Sequence, residues 1–428
     1  MNIFIKFLIF MLISSQSYGL SIDEAIKSTI ENNPKVKIAL EKINESKEIL
    51  IYSKREKLPN ITSSITGTYS NADTETATSS TTPETFTDEY KVTITKNLYD
   101  SGYTNLEIER SKVLYNNELI NFKTTIQDLI LDAINGYLTV INYEKSLEAT
   151  KKNYDSVSKA YEEIKTRYEL GSATLYDLQN AEASYNIAKT NLYSAEQNLK
   201  ISKKTFQRIV NLKPTDLEDI INIESSINID NVIEEAKSNN LNLLLISNEI
   251  KNKEILIHKE KQSKKPTLDI SGTGLYSYGS RLDKGTETSS GSIALTLTIP
   301  LYQKGQDDSN IRKYQSQKLQ EKINLEDSFD DLQISLLNTY KELMISKSKM
   351  ESNLIVIKSI KTALISLKEE YQIGTKSITD LVEEEEKLLN ANVNYLNSKR
   401  DYLLNYFKIK SLDGSLINIF DKYLPIIK

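Results

Sequence analysis

The chain has 428 residues, a formal net charge of −5, one His and no Cys. This mild charge argues against an extended nucleic-acid-binding surface. The absence of Cys excludes disulfides, thiolate nucleophiles and Cys-ligated metals. A single His, His258, argues against a His-based metal site or a catalytic triad. We therefore predict a protein that is not an enzyme and carries no cofactor or resident metal.

Residues 1–19 have the features of a secretory signal peptide. A Lys precedes an apolar run at 7–13, and Ser17 and Gly19 supply small residues at positions −3 and −1 of a cleavage site. We predict a mature protein that begins at Leu20. No later stretch approaches the length of a transmembrane helix, so none is expected.

Alternating apolar and polar residues predict two pairs of strands, at about residues 59–99 and 266–301. Each strand is about ten residues long, the length that crosses a bilayer at a tilt. Trp is absent while Tyr reaches 25 residues, and several Tyr could take the interfacial positions of an aromatic belt. These are Tyr69, Tyr90, Tyr276 and Tyr278.

A long helix is predicted after each pair of strands, because apolar residues recur there at every seventh position. The first row is Ile126, Ala133, Val140, Leu147, Tyr154, Tyr161 and Tyr168, and the second, 203 residues later, is Phe329, Leu336, Leu343, Met350, Ile357, Leu364 and Tyr371. A strict seven-residue step is typical of helices wound against other helices. A run of this length would measure about 100 Å.

A tight turn is predicted to fold each long helix into a helical hairpin. In each hairpin a Gly ends the first helix, and a hydroxyl residue followed by an acid three positions later opens the next, as in a capping box. The turn residues are Gly171 and Thr174 in the first hairpin and Gly374 and Ser377 in the second.

The same order of elements therefore occurs twice, which predicts one architecture over residues 20–428 rather than separate domains. Repeat one covers about 20–225 and repeat two about 226–428. The four amphipathic strands could form a small sheet packed on the helices, which needs only a one-sided core. They could instead face lipid, in which case several chains must close one barrel, because strands in lipid cannot keep open edges. The signal peptide, the excess of Tyr and the polar loops favour the lipid-facing arrangement of the strands.

The chain resembles the TolC family of outer-membrane channel-tunnel proteins over nearly its full mature length. The resemblance depends on the duplicated order, on the strand-end segments Leu98–Gly102 and Pro300–Gly305, on the turns Tyr168–Asp177 and Tyr371–Asp380, and on Ile409–Leu416. It implies a mainly α protein with a β membrane part: a homotrimer whose four strands per chain form a shared twelve-stranded β-barrel above a long α-helical barrel.

For function, the resemblance implies an exit duct in the cell outer membrane that extends into the periplasm. It would serve an inner-membrane transporter through a periplasmic adaptor protein, and its other partner would be outer-membrane lipid. The sequence does not choose between efflux of small molecules and type I protein secretion. The alternative is a secreted structural or adhesive coiled coil with a small soluble sheet.

The resemblance also assigns roles in a periplasmic gate. Asp380 and Glu383 would form an acidic ring around the axis, Tyr371 and Lys376 would hold the second hairpin to its neighbour, and Asp177 would be the opposing acidic partner. Asp177 and Asp380 also fit plain helix capping, so both roles stay open for them. Glu385 and Glu386 are expected to be solvated.

Overall fold

A computed structural model describes residues 19–71, 74–76, 79–81, 84–219, 227–281 and 284–425. The predicted signal peptide lies outside the described residues up to position 18. Two compact units interleave along the chain. Unit 1 takes the described residues of 1–37, 123–240 and 331–428, and unit 2 takes those of 38–122 and 241–330.

Helices make up most of the described chain. They are α1 (Ile22–Asn32), α2 (Pro34–Arg55), α3 (Tyr103–Glu169), α4 (Leu175–Val210), α5 (Ile229–Asn239), α6 (Leu241–Gln262), α7 (Gln306–Gln372), α8 (Ile378–Leu412) and α9 (Leu416–Ile419), followed by a 3-10 turn at Asp421–Tyr423. The predicted long helices α3 and α7 each have 67 residues. Among the described residues, no helix has an apolar stretch long enough to cross a bilayer.

The strands of unit 2 are β1 (Asn60–Asn71), β2 (Thr74–Thr76), β3 (Ser79–Thr81), β4 (Glu84–Tyr99), β5 (Thr267–Arg281) and β6 (Lys284–Thr298). A four-stranded antiparallel sheet has the order β1-β4-β5-β6, and β2 pairs with β3 in a separate two-stranded sheet. The central pairing, β4 with β5, joins the last strand of repeat one to the first strand of repeat two. The two repeats therefore contribute neighbouring halves of a single sheet.

The pairing register gives this sheet one apolar face. Ile61 lies opposite Ile94, which lies opposite Gly272, which in turn lies opposite Ile293. Directly opposed residues point to the same side, so the apolar sets of all four strands coincide. The neighbouring row, Thr62, Thr93, Thr273 and Ser292, is polar and points to the other side.

Side chains on the apolar face are open to solvent in the single chain: Ile65 is 74% exposed and Ile293 84% exposed. Exposed apolar or aromatic residues occur in each strand of the four-stranded sheet, with Tyr276 and Tyr278 in β5. They indicate a face that a partner or lipid must cover, because contiguous apolar patches are rare on free soluble surfaces.

The core of unit 1 forms around the middle of α3. Ile126, Ile130, Ile134 and Tyr137 are fully buried there, together with Phe206 of α4. Gly136 faces α4, where a Cβ would lie at ordinary contact distance, 3.7 Å, from the Phe206 ring.

The Tyr137 hydroxyl lies 2.7 Å from the carbonyl oxygen of Leu20 and 2.8 Å from that of Glu218. This buried donor ties two chain segments to α3.

A matching amide contact closes each repeat in unit 1. The Asn33 side-chain amide donates to the carbonyl oxygen of Ile209 at 3.1 Å, and that of Asn240 donates to Leu412 at 2.9 Å. In both cases a residue at the end of a short helix satisfies a free carbonyl at the end of a hairpin helix. The internal repeat thus extends to individual hydrogen bonds.

Candidate functional site at the helical hairpins

Both hairpin turns have the same backbone geometry. Gly171 and Gly374 adopt φ values of +77° and +83°, in the left-handed region that favours Gly. The amide of Ser172 donates to the carbonyl of Arg167 at 2.8 Å, and the amide of Thr375 donates to Glu370 at 3.0 Å. These bonds satisfy carbonyls at the ends of α3 and α7 and reverse the chain within a few residues.

A capping box starts the second helix of each hairpin. The Asp177 amide donates to the Thr174 hydroxyl at 3.1 Å, and the Asp177 carboxylate accepts from the Thr174 amide at 3.1 Å and hydroxyl at 2.7 Å. Asp380 and Ser377 repeat this arrangement at 3.2, 2.9 and 2.9 Å.

The capping bonds also affect the acidity of the two carboxyl groups. Hydrogen bonds from Thr174 lower the pKa of Asp177, and hydrogen bonds from Ser377, with help from the charge of Lys376, lower the pKa of Asp380. The structure therefore places both residues at helix starts, ionised at neutral pH. One carboxylate oxygen of each, Oδ2, makes these bonds.

Small apolar clusters pack the two hairpins of the chain against each other. Ile164 of α3, Ala181 of α4 and Ile378 of α8 form one buried cluster. A second cluster combines Val157, Ala188 and Val382. Tyr154 and Tyr161 pack at the margins of these clusters and contact Tyr185 of α4, at ring-centroid distances of 5.8 and 5.2 Å.

A polar contact joins the hairpins close to the turns. The Tyr371 hydroxyl of α7 donates to the Glu163 carboxylate of α3, and the Arg167 guanidinium lies 5.5 Å from the centre of the Tyr371 ring. Arg167 also approaches Glu163, with 3.6 Å between Nε and Oε1. Burial, together with the bond to Glu163, raises the pKa of Tyr371 to about 12. We call these three side chains the Tyr371 clasp.

The clasp differs from the pairing that the resemblance suggested. Tyr371 contacts Glu163, whereas the carboxylate of Asp177 is engaged in its own capping box. Glu163 and Arg167 could not be singled out from the sequence, because each is one charged residue among many on α3. Their only signal was the four-residue spacing that places both on the same helix face.

The other predicted residues follow the second turn. Lys376 and Glu383 are exposed. The expectation that Glu385 is solvated is wrong: its side chain is 16% exposed and pairs with Lys368 of α7 at 3.1 Å. Glu386 is exposed, as expected. In the described part of the chain, no three acidic or His side chains converge as a metal site.

A second ionic contact of unit 1 joins α3 to α8 farther from the turns. Asp219 accepts hydrogen bonds from Lys145 of α3 and from Lys399 of α8, the latter at 2.8 and 2.9 Å. Partial burial raises the pKa of Asp219, but the two lysines outweigh it and the pKa is lowered. Asn142 of α3 also donates to Asn397 of α8 at 2.9 Å. The two hairpins are therefore linked both near the turns and farther along.

Comparison with known proteins identifies relatives of this arrangement. The family model described as "Outer membrane efflux protein" matches residues 25–212. The chain is 24% identical to Outer membrane protein TolC of Escherichia coli over 315 residues, 69% of this chain and 63% of that protein. It is 18% identical over 304 residues to the alkaline protease secretion protein AprF of Pseudomonas aeruginosa, again 69% of this chain and 63% of the relative. The matches thus span less than two thirds of the length of these two relatives.

Among solved structures, the outer membrane channel CmeC of Campylobacter jejuni has a similar fold. It superposes with a TM-score of 0.79 at 16% identity, covering 95% of this chain and 90% of that one. This likeness confirms the predicted fold class, a mainly α chain with long barrel-forming helices and four strands for a shared β-barrel.

Proposed function

Because the chain belongs to the TolC family of outer-membrane efflux proteins, we propose that it forms a passive exit duct through the outer membrane. The family is one of channels and not of enzymes, and the predicted outer-membrane location is confirmed. The observation that carries the proposal is the sheet with one exposed apolar face, joined twice to a 67-residue helix. A lipid-facing wall and a long helical conduit are thus part of the same chain.

The assembly that fits this chain is a homotrimer. Four strands leave β1 and β6 as open edges, and membrane barrels of known type need at least about eight strands. Three copies of four strands give twelve and remove every edge. The apolar face would then meet lipid, and the row of Thr and Ser on the other side would line the pore.

The partners we propose are an inner-membrane transporter and a periplasmic adaptor that connects it to the duct. The names of the relatives support both types of cargo, since AprF is named for secretion of a protease and the matching family for efflux. We therefore propose export as the function and leave small molecules and proteins as the two cargo classes.

We further propose that the hairpin turns form the gate of the duct. Three copies of Asp380 and Glu383 around one axis would place six carboxylates in a narrow ring, which attracts cations and repels anions. Glu383 is exposed, and Asp380 has one oxygen that its capping box does not use. Opening would move the second hairpin away from the first and break the Tyr371 clasp.

Membrane fractionation tests the duct against the alternative of a secreted coiled coil. The duct should remain in the outer membrane after washing with high salt, and it should run as a trimer after chemical crosslinking in membranes. The alternative requires a sheet covered by the helices, whereas Ile65 and Ile293 are largely exposed. Protein that is soluble and monomeric without detergent would overturn the duct.

The acidic ring has its own test, in a variant that carries Asp380→Asn and Glu383→Gln. Both changes keep the side-chain shape and remove the charge, so cation selectivity in a planar bilayer should fall while the channel persists. Glu386→Gln is the matched control, since this exposed residue lies on the same helix three positions beyond Glu383. Equal cation selectivity in the double variant and the control would show that the two carboxylates do not form the proposed ring, and would leave helix capping as the role of Asp380.

A further inference from the structure

Unit 2 carries a concentration of positive charge immediately before each pair of strands. Residues 54–57, at the end of α2, include three cations and one acid, and residues 259–265, at the end of α6, include four cations and one acid. The whole chain has a net charge of −5, so these two positively charged segments are opposite in sign to the chain as a whole.

The positive charge is part of the internal repeat. With an offset of 207 residues, Lys54 corresponds to Lys261 and Lys57 to Lys264, just as Pro59 corresponds to Pro266. The strands β1 and β5 begin directly after these prolines, at Asn60 and Thr267. We define the basic collar as Lys54, Arg55, Lys57, Lys261, Lys264 and Lys265.

Four collar cations have no internal partner. Lys57 donates to Asn105 at 2.6 Å, and Lys264 pairs with Asp308. The charged groups of the remaining four are exposed and make no ion pair or hydrogen bond with any residue that the structure describes. These four are Lys54, Arg55, Lys261 and Lys265. The nearby acid Glu56 is also exposed and leaves the collar with net positive charge.

Apolar and aromatic side chains continue from the collar onto the apolar face of the sheet. Leu58 is 62% exposed, Leu301 92% and Tyr302 85%, and all three lie within a few residues of a strand end. A row of Tyr and Leu beside Lys and Arg is the composition of a membrane interface, where rings sit at headgroup depth and cations meet phosphate.

From these observations we propose that the basic collar binds the phosphate headgroups of anionic phospholipids in the leaflet where the strands enter the membrane. The inference rests on the proposed function, because it requires the sheet to be embedded in a bilayer. The occupant follows from charge complementarity and from continuity with the lipid-facing sheet. A cation near the end of a helix can also stabilise that helix through the helix dipole. The experiment must distinguish this simpler role from lipid binding.

The test is a lipid titration of the detergent-purified protein, followed by native mass spectrometry. Phosphatidylglycerol should bind the unmodified protein at least about tenfold more tightly than phosphatidylcholine, since each cation near an anionic surface contributes severalfold. The variant Lys54→Gln, Arg55→Gln, Lys261→Gln, Lys265→Gln should lose this preference. A matched control removes four exposed lysines of unit 1, Lys151, Lys200, Lys204 and Lys358, and should keep it.

Three results would overturn the proposal: a collar variant that keeps its preference, a control that loses it equally, or inorganic phosphate that displaces phosphatidylglycerol at equal concentration. A collar variant that only melts at a lower temperature, with the lipid preference unchanged, would assign the cations to helix stabilisation. Planar-bilayer recording of the same samples separates this inference from the duct. Channels without a lipid preference would refute only the collar, whereas lipid preference without channels would refute the duct.

Discussion

The Tyr371 clasp gives the sharpest prediction for the gate. Tyr371→Phe removes the hydroxyl that donates to Glu163 and leaves the ring, so the apolar contacts of the hairpins stay in place. If this bond holds the second hairpin in the closed arrangement, its loss shifts the closed–open equilibrium toward the open state.

The size of the shift follows from the exposure of the pair. A hydrogen bond to a charged group stabilises by about 1.5–3 kcal/mol when shielded from water. The Glu163 side chain is 46% exposed, so we reduce the expected contribution to about 1 kcal/mol per chain. That energy corresponds to about a fivefold change in the open population for each hairpin that moves independently.

Single-channel recording in a planar bilayer measures this population. The matched control is Tyr168→Phe, since Tyr168 is the equivalent residue of the first hairpin and its hydroxyl has no hydrogen-bond partner among the described residues. The open probability should rise about fivefold in Tyr371→Phe and remain unchanged in Tyr168→Phe. Equal open probability in both variants would refute the clasp.

An alkaline titration gives an independent check. Because the pKa of Tyr371 is raised from 10.0 to about 12, the stabilisation is fully present below pH 10 and is lost as the pH rises toward 12. Unmodified channels should therefore open more often over this range, and Tyr371→Phe channels should show no such component.

Three further predictions concern stability in unit 1. Tyr137→Phe removes the hydroxyl that contacts the carbonyl oxygens of Leu20 and Glu218, and it should lower the free energy of unfolding by about 0.5–1.5 kcal/mol, measured by thermal melting in detergent. A melting temperature equal to that of the unmodified protein would contradict this prediction. Asp219→Asn should lower the melting temperature at pH 7 but not at low pH. The reason is that a carboxyl group whose pKa is lowered on folding stabilises the protein above its ordinary pKa of 3.8, and this contribution is lost as the pH falls through its pKa in the folded protein. A constant difference in melting temperature from pH 7 to pH 3 would refute this. Gly414→Ala should destabilise the protein more than Gly171→Ala. Both glycines have a positive φ, but only a Cβ at position 414 would meet a carbonyl oxygen, that of Asn239 at 2.3 Å. Equal melting temperatures of the two variants would show that this close contact relaxes without cost.

Much of the fold could be predicted because it depends on periodic patterns. The seven-residue rows indicate α3 and α7, and the two-residue alternation indicates the strands, since both periods follow directly from backbone geometry. Ile126, Ala133 and Val140 of the first row are fully buried, in line with their predicted packing role. The hairpin turns carry local signals of Gly and capping residues, which act over only a few positions.

Contacts between distant segments could not be predicted in the same way. Glu163 meets Tyr371 across 208 positions, and no local pattern distinguishes Glu163 from other acidic residues of α3. Asp219 lies in an irregular segment after α4, and its two lysine partners belong to different helices. The burial of Glu385 was missed for the same reason, since it depends on how α7 packs against α8. Such contacts depend on tertiary packing, and no periodic pattern in a single sequence indicates them.

The most direct test of the account is single-channel recording of the unmodified, detergent-purified protein in a planar bilayer, after crosslinking has confirmed that it is a trimer. We expect discrete conductance steps of uniform size, with a preference for cations over anions. Folded, trimeric protein that produces no conductance would contradict the duct.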